Sequence, residues 1–398
     1  MKIRTVLIIG SGIAGPVLAH FLHRKNIQVT IVERAPQLRS YGQTIDLRGA
    51  GREVARRMGI DAEVRSRITR EAGLAFVDGA GHAKASFTAD SFGGQGLVCD
   101  TEILRGELVD LLYEHSRRDA EYLFGDHPLT VTDLGDQVRV VFASGAERSF
   151  DLVIGADGIR SRTRRLVCPD TPAIHYLDMY TAYFTIPYQP GDGKWARWYN
   201  AGRGRTLLLR PDNQGTTRAF LSFRSSRRGH EELSRAEQQA LLHEVFADAG
   251  FDTARVLRDM AQSPDFYFEA IGQVKLPQWS NGRVALVGDA AYCASPISGM
   301  GTSLALVGAY ILAGELGSQQ GHRQAFQRYQ ALMRPYVRNA QRIAPGALRF
   351  ASPHSRAGVR LSNAVLGVLA RPAVSGLIGK LNKPKADAIA LPDYPAKA

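Results

Sequence analysis

The sequence predicts an α/β fold. A Rossmann-like nucleotide domain carries an inserted, mostly antiparallel β domain and ends in helices. Three observations predict this. The chain opens on an apolar strand, a glycine turn, a helical repeat and a second strand that ends in an acid. Two later apolar runs, Leu152-Val153-Ile154 and Val284-Ala285-Leu286-Val287, each lead into a turn with paired aspartate and glycine. Between them, residues 171–270 change to aromatic, β-type runs.

The first unit is Thr5-Val6-Leu7-Ile8-Ile9, then Gly10-Ser11-Gly12-Ile13-Ala14-Gly15. In such a turn the first glycine permits the bend and the second lets a pyrophosphate approach the backbone. The third lets the helix pack on the sheet. The helical repeat places Ala14, Val17, Leu18, Phe21 and Leu22 on one face. A helix start offers unpaired N–H groups and a positive dipole end to phosphate. Glu33 ends the second strand about 20 residues after Gly10, where an acid binds ribose hydroxyls. Its charge opposes a 2′-phosphate, so the turn suits FAD or NAD better than NADP. A G-x-G-x-x-G alone fits an ordinary βαβ unit, but the strands, helix and acid around it favour a nucleotide. NAD and FAD both stay open on this stretch.

Beyond Arg34 a polar connection runs to Arg39, and residues 42–47 form a short strand or extended loop. Residues 53–58 read as a helix that Gly59 stops. Residues 73–87 predict a hairpin through Asp78-Gly79-Ala80-Gly81, and residues 92–96 a glycine-rich loop. Residues 101–113 predict a helix with Ile103, Leu104, Leu108 and Leu111 or Leu112 inward. Arg105 near its start is either a surface charge or a group pointing back at the cofactor. Two strands follow around Gly135-Asp136. Leu152-Val153-Ile154 reads as a buried parallel strand, and Gly155-Ala156-Asp157-Gly158 leaves it, with Ser161 and Arg164 beyond. The inserted domain draws strands from residues 180–187, 195–199, 206–209 and 219–223, with one helix at 235–249. Val284-Ala285-Leu286-Val287 then leads into Gly288-Asp289-Ala290-Ala291 and Pro296-Ile297-Ser298-Gly299-Met300-Gly301. A long helix spans 302–316. The remainder is helical to about residue 381, with breaks at Pro335, Pro345 and Pro372.

At 398 residues the chain holds two domains or one large one. Its 44% hydrophobic and 22% charged residues describe an ordinary globular protein. The 40 glycines exceed the usual share of about 7% and accord with a turn-rich nucleotide fold. A net charge of +12 would suit nucleic acid or an anionic membrane. The basic residues are scattered, however, so they read as solvated faces with some attraction for anionic cofactors; no nucleic-acid partner is expected. Cys99, Cys168 and Cys293 are far apart and form no C-x-x-C. That argues for a reducing compartment without disulfides, zinc or other metal. Cys293 lies inside a motif, yet a buried thiol is favoured over a reactive one. The apolar run after Lys2 and Arg4 is too short for a signal peptide. No run reaches the roughly 20 apolar residues of a membrane span. A cytoplasmic monomer or dimer is expected.

The three acid-bearing turns form a constellation. Each follows a buried strand, so all three should share the carboxyl edge of one sheet, where open α/β sheets hold ligand. Asp289 can hydrogen-bond a polyol hydroxyl. The turn at 296–301 starts a helix whose positive end would stabilise a reduced flavin's negative charge. Aspartate and glycine also serve plain connections, but three such turns in this order favour a site.

On these motifs the chain resembles the class A flavoprotein monooxygenases, the p-hydroxybenzoate-hydroxylase-like group, over most of residues 1–320. Gly10, Gly12, Ile13, Ala14, Gly15, Glu33 and Arg34 are similar to the ADP-binding part of its FAD site. Asp157-Gly158-Ile159-Arg160-Ser161 with Arg164 resembles its D-G motif, associated with FAD and NAD(P)H. Gly288-Asp289-Ala290-Ala291 with Pro296, Gly299, Met300, Gly301 and Thr302 resembles its G-D motif around the ribityl chain. Arg105 matches a helix arginine that contacts FAD, and Arg39, Gln43 and Asp46 fall beside the isoalloxazine. The run Gln43-Thr44-Ile45-Asp46-Leu47 is most similar to the tetracycline-inactivating monooxygenases and their antibiotic-tailoring relatives. Four positions depart from the pattern: Tyr292 replaces histidine, Met300 glutamine, Ser303 asparagine and Gly308 aspartate. They bear on the flavin pocket and on any tetracycline substrate.

The resemblance implies a GR2-type FAD-binding domain from residues 1–72, 100–170 and 275–320. It implies a substrate-binding domain from 73–99 and 171–274, and a C-terminal helical region from 321–398. It implies non-covalent FAD, NAD(P)H as co-substrate, and O₂ that adds to give a C4a-hydroperoxyflavin. That species hydroxylates an aromatic or polyketide-like small molecule, an activity of the EC 1.14.13 type. The cofactor does the chemistry while the protein orients, excludes water and tunes charge, so no catalytic residue is named. Substrate contacts are expected from Tyr183, Trp198, Arg210, Phe220 and Phe223, with packing the competing role for each. The apolar segment 365–378 is expected to pack rather than touch a membrane. Two alternatives share the fold. A flavin reductase or dehydrogenase differs by lacking oxygen incorporation. A non-catalytic flavin-binding protein is disfavoured by the intact glycines and acids. A halogenase would need W-x-W-x-I-P, which Trp195-Ala196-Arg197-Trp198 does not supply.

Overall fold

A strand that is apolar on both faces must be covered on both. Strand Thr5–Ile9 is such a strand, and it lies inside a six-stranded sheet. The computed structural model describes residues 3–89, 91, 99, 101–169, 171, 173–371, 374, 386 and 388–395. In it, Thr5–Ile9 pairs in parallel with Gln28–Glu33 on one side and Leu152–Gly155 on the other. Val284–Leu286 extends the sheet beyond Leu152–Gly155, and Glu121–Phe124 extends it beyond Gln28–Glu33. Backbone bonds join the strand ends in one row: Gly10 N donates to Val32 O, Ala156 N to Ile9 O and Val287 N to Gly155 O. The three acid-bearing turns therefore leave the same edge.

Helix Gly301–Ser318 is buried from Thr302 to Gly317, as a helix apolar on all sides must be. It packs against helices Ala14–His23, Gly49–Met58 and His322–Ala340. A second sheet has seven strands in the order Tyr267–Val274, Ile174–Pro187, Thr216–Arg224, Arg205–Pro211, Trp195–Gly202, Gly73–Val77 and Ala83–Thr88. It is antiparallel except where Trp195–Gly202 meets Gly73–Val77. Its side chains alternate with the period of two that strands impose. Tyr180, Ala182, Leu207, Leu209, Leu221 and Phe223 pack with residues of helices Arg235–Phe246 and Thr253–Met260. Their neighbours Thr181, Tyr183, Leu208, Arg210, Phe220 and Ser222 line a cavity.

The structure departs from the sequence reading at several elements. Residues 101–113 are not one helix: Glu102–Leu104 is a strand and Arg105–Ser116 the helix. The strand forms because Thr44–Asp46 pairs with it, Asp46 opposite Glu102. Helix His322–Ala340 runs through Pro335 without the expected break; a proline there forfeits one backbone bond, and packing on Gly301–Ser318 sustains the helix. Strands Glu121–Phe124 and Glu147–Phe150 and helix Thr253–Met260 were not foreseen. Pro372 and the glycine-rich loop at 92–96 lie outside the described residues. Helix Arg356–Leu369 buries Leu366 beside Phe76 and Phe87, while Val365 and Val368 stay partly exposed. Among the described residues no helix is long and apolar enough to cross a membrane.

Candidate cofactor and substrate site

The cavity measures about 1480 Å³, above the roughly 300–1000 Å³ of a pocket for one drug-sized ligand. The sheet edge with its three turns walls one side, and the face of the second sheet that carries Tyr183, Trp198, Leu208, Arg210 and Phe220 walls the other.

The first turn is built around contacts that only glycine allows. Gly10 has φ +110°, and a Cβ there would stand 2.6 Å from Ala156 O. A Cβ on Gly15 would stand 2.1 Å from Gly10 O. Gly12 is different: its nearest neighbour would be Arg105 Nη2 at 3.9 Å, so its open side faces the cavity. Helix Ala14–His23 has no acid in its first turn and no side-chain cap, which leaves its N–H groups for a ligand. Glu33 accepts from Ser11 N at 3.1 Å, Ser11 Oγ at 3.3 Å and Ala35 N at 2.9 Å. A carboxylate has about four lone-pair sites, so acceptor capacity remains for a hydroxyl.

In the second turn, Asp157 Oδ2 accepts from Arg162 N, Thr163 N and Thr163 Oγ1 at 3.0–3.1 Å. Its Oδ1 is buried without a protein partner, and the residue lines the cavity. An orphaned acceptor of this kind calls for a donor from a ligand. Arg164 ties this turn to the third. It donates from Nε to Ala290 O at 2.9 Å and from Nη2 to Ile159 O at 2.6 Å and Gly158 O at 3.3 Å.

The third turn places Asp289 at the start of helix Asp289–Tyr292, after Gly288 at φ +66°. Burial raises the Asp289 carboxyl above its ordinary range, while Arg105 and Arg164 pull it down. Burial, then Asp289, pushes the Cys293 thiol well above its usual value, so it is no ready thiolate. Helix Gly301–Ser318 begins beside the cavity with no acid in its first turn. Burial, then Arg39, lowers Arg105, which donates to Tyr41 O at 3.3 Å.

The structure brings most of the sequence-derived residues to this cavity: Gly10, Gly12, Ile13, Ala14, Glu33 and Arg34 from the first unit; Arg39, Gln43, Asp46, Arg105, Asp157 and Asp289 around it; and Pro296, Gly299, Gly301 and Thr302 at the last turn. Gly15 serves helix packing, and the Met300 side chain is buried in the core. Tyr183, Trp198, Arg210 and Phe220 line the opposite wall. Phe223 does not. It faces the other side of its strand and stacks on Tyr180 and Phe268, because odd and even positions alternate. Sequence reasoning missed Ser11, Arg48 and Thr181. It also missed that Arg210 is held by Glu71 and Glu102. Alternation along the strands could have found Thr181 from Tyr183. The ion-paired acids gave no sequence signal.

These residues suit an anionic, polyol-bearing dinucleotide. The open glycine and helix start can accept a pyrophosphate, and Glu33, Asp157 and Asp289 can accept hydroxyls. Comparison with known proteins agrees. The profile of a family described as "FAD binding domain" matches residues 4–351. An uncharacterised protein of Mycobacterium tuberculosis is 40% identical over 85% of this chain and 92% of that protein. A flavin-dependent monooxygenase of Legionella longbeachae is 38% identical over 83% of this chain and 85% of its own. The crystal structure of tetracycline destructase Tet(51) superposes with a TM-score of 0.82 at 33% identity, covering 99% of this chain and all of that one.

Proposed function

We propose a reaction from the premise that this chain belongs to the FAD-binding-domain family and is a flavin-dependent monooxygenase acting on aromatic or polyketide small molecules. The reductant in our reading is NAD(P)H. The observation that carries the reading is the shared cavity: three cofactor-type turns on one wall, and on the other a sheet face with Tyr183, Trp198, Phe220 and Arg210. Bound FAD, once reduced, supplies the activation of O₂ that delivers one oxygen atom to the substrate.

The chain's own residues do the rest. The Gly12 backbone and the start of helix Ala14–His23 hold the pyrophosphate, and Arg105 adds charge. Glu33 takes the ribose hydroxyls and Asp289 the polyol chain. The start of helix Gly301–Ser318 favours negative charge beside it. The aromatic wall binds a flat apolar substrate and keeps out water. Arg210 offers a cation already oriented by the carboxyl groups of Glu71 and Glu102. We further read the six-stranded sheet as the FAD-binding domain, the seven-stranded sheet as the substrate domain and residues 321–398 as a helical region bridging them. The three buried, unbridged cysteines support a cytoplasmic setting. A monomer or dimer would suffice, since one chain supplies both walls.

The test begins with the visible spectrum of the purified protein, then NADH and NADPH oxidation in air and ¹⁸O₂ labelling of product. Flavin bands, substrate-stimulated oxidation and one labelled oxygen per product are expected. Gly12→Val should purify colourless, since a branched side chain blocks the pyrophosphate. Substrate reduction without label would favour a reductase instead.

A further inference from the structure

Proton supply follows from the reaction's balance, and the inference rests on the reading above. One turnover is RH + O₂ + NAD(P)H + H⁺ → ROH + H₂O + NAD(P)⁺. One oxygen atom forms the C–O bond and the other leaves as water; the nicotinamide gives the two electrons. One proton must therefore enter from solvent per product. A cavity that excludes water to suppress side reactions needs a route for that proton.

Strand Tyr267–Val274, at the edge of the second sheet, supplies one. Tyr267 stands opposite Tyr183, and Glu269 opposite Thr181. The period of two puts all four on one face, the face that lines the cavity through Thr181 and Tyr183. Tyr267 donates its hydroxyl to Glu269 Oε2 at 3.2 Å. Tyr267 is 44% exposed and Tyr183 only 6%. Tyr183 is the diagonal cross-strand neighbour of Glu269 on that face, and the Glu269 charge helps to raise the Tyr183 phenol. The two rings stack with centroids 6.2 Å apart. A carboxyl thus sits between one phenol on the cavity wall and one at the surface.

We propose that Tyr267, Glu269 and Tyr183 form a proton path from solvent into the cavity, with Glu269 as the carrier. Glu269 gives its proton to Tyr183 Oη as Tyr183 releases its own to the oxygen that leaves as water. Tyr267 then reprotonates the carboxylate and takes a proton from solvent. No electrons move along the path. The groups around Glu269 suit this. Burial raises its carboxyl to about 7; the hydrogen bond from Tyr267 and the nearby Tyr183 lower it, Asp289 raises it and Arg160 lowers it. Cys293, also within its field, stays a neutral thiol. A carrier that gives and regains a proton works best near the ambient pH. Burial pushes both phenols upward, so they relay as neutral hydroxyls.

The test uses the FAD-loaded enzyme with Glu269→Gln, Glu269→Asp and Tyr267→Phe. Infrared difference spectra across about pH 5 to 9 should show a carboxylic band titrating near 7 that Glu269→Gln removes. After mixing with D₂O, that carboxyl should exchange about tenfold slower in Tyr267→Phe. In turnover, the rate should fall as pH rises through about 7, since the protonated acid is the donor. Glu269→Gln should lose that limb and about 10²-fold in rate at neutral pH, and Glu269→Asp should restore both in part. A Glu269→Gln enzyme with unchanged rate and pH profile overturns the path. So does an infrared titration without a carboxyl near 7, or exchange unaffected by Tyr267→Phe. Should the loaded enzyme consume no NAD(P)H, the reductant reading fails, while the two infrared results still decide the proton path.

Discussion

A Cβ on Gly308 would stand 1.8 Å from Tyr292 Oη. That oxygen pairs with Tyr329 Oη at 3.0 Å, and Tyr329 donates to Leu286 O at 3.1 Å. The sequence shows both residues as departures, a tyrosine for histidine and a glycine for aspartate. It does not show that one makes room for the other, because nothing in the chain's order says they touch. Gly308→Ala should destabilise the fold by about 1–3 kcal/mol through overpacking, measured as a lower urea midpoint. Adding Tyr292→Phe should recover part of that loss, since the clash is with the hydroxyl, and the two changes will not add. The same limit applies to Phe223. Its aromatic character is visible in the sequence, but its face depends on register, and a one-residue shift reverses it.

At the scale of elements, the strands with continuous apolar runs were the most legible. Thr5–Ile9, Leu152–Gly155 and Val284–Leu286 must be covered on both faces, and the glycine turns after them mark where they stop. Glu121–Phe124 was not legible, because it is short and each residue is at least partly exposed. Glu102–Leu104 was hidden by leucines at helical spacing, and pairing with Thr44–Asp46 overrides that local pattern. Arg164 illustrates what sequence can only half say. Its place beside the second motif was plain, but its reach to Ala290 O in the third was not. Arg164→Met leaves that carbonyl, Ile159 O and Gly158 O without their donor. The expected cost is about 3 kcal/mol, with at least about tenfold weaker FAD retention, measured by flavin fluorescence on dilution. Unchanged retention would show that the two turns hold their geometry without the clamp.

Across the whole molecule, one buried cluster joins the two sheets' surroundings. Arg210, on the second sheet, pairs with Glu71 at 2.7 Å and Glu102 at 2.5 Å. Two carboxyl groups share one guanidinium, and burial with the nearby Glu71 and Asp46 raises Glu102 to about 8 against the attraction of Arg210. A carboxyl raised on folding holds a proton that unfolding releases. Its stabilising contribution is full below its ordinary value of 4.5 and is lost as pH rises through about 8. Melting temperature should therefore fall across that window, and Glu102→Gln should flatten the fall. A slope unchanged in Glu102→Gln would mean that another group titrates. The sheet order has its own consequence for how the chain is made. Thr5–Ile9 needs Leu152–Gly155 as a neighbour, and that strand needs Val284–Leu286. The strands of the second sheet, apart from Gly73–Val77 and Ala83–Thr88, pair within residues 174–274. On a ribosome the second sheet can thus assemble its main part while the first still lacks Val284–Leu286. Leu152–Gly155 keeps an open edge until Val284–Leu286 is made, and until then Leu152, Val153 and Ile154 are a hydrophobic strand that a chaperone could hold.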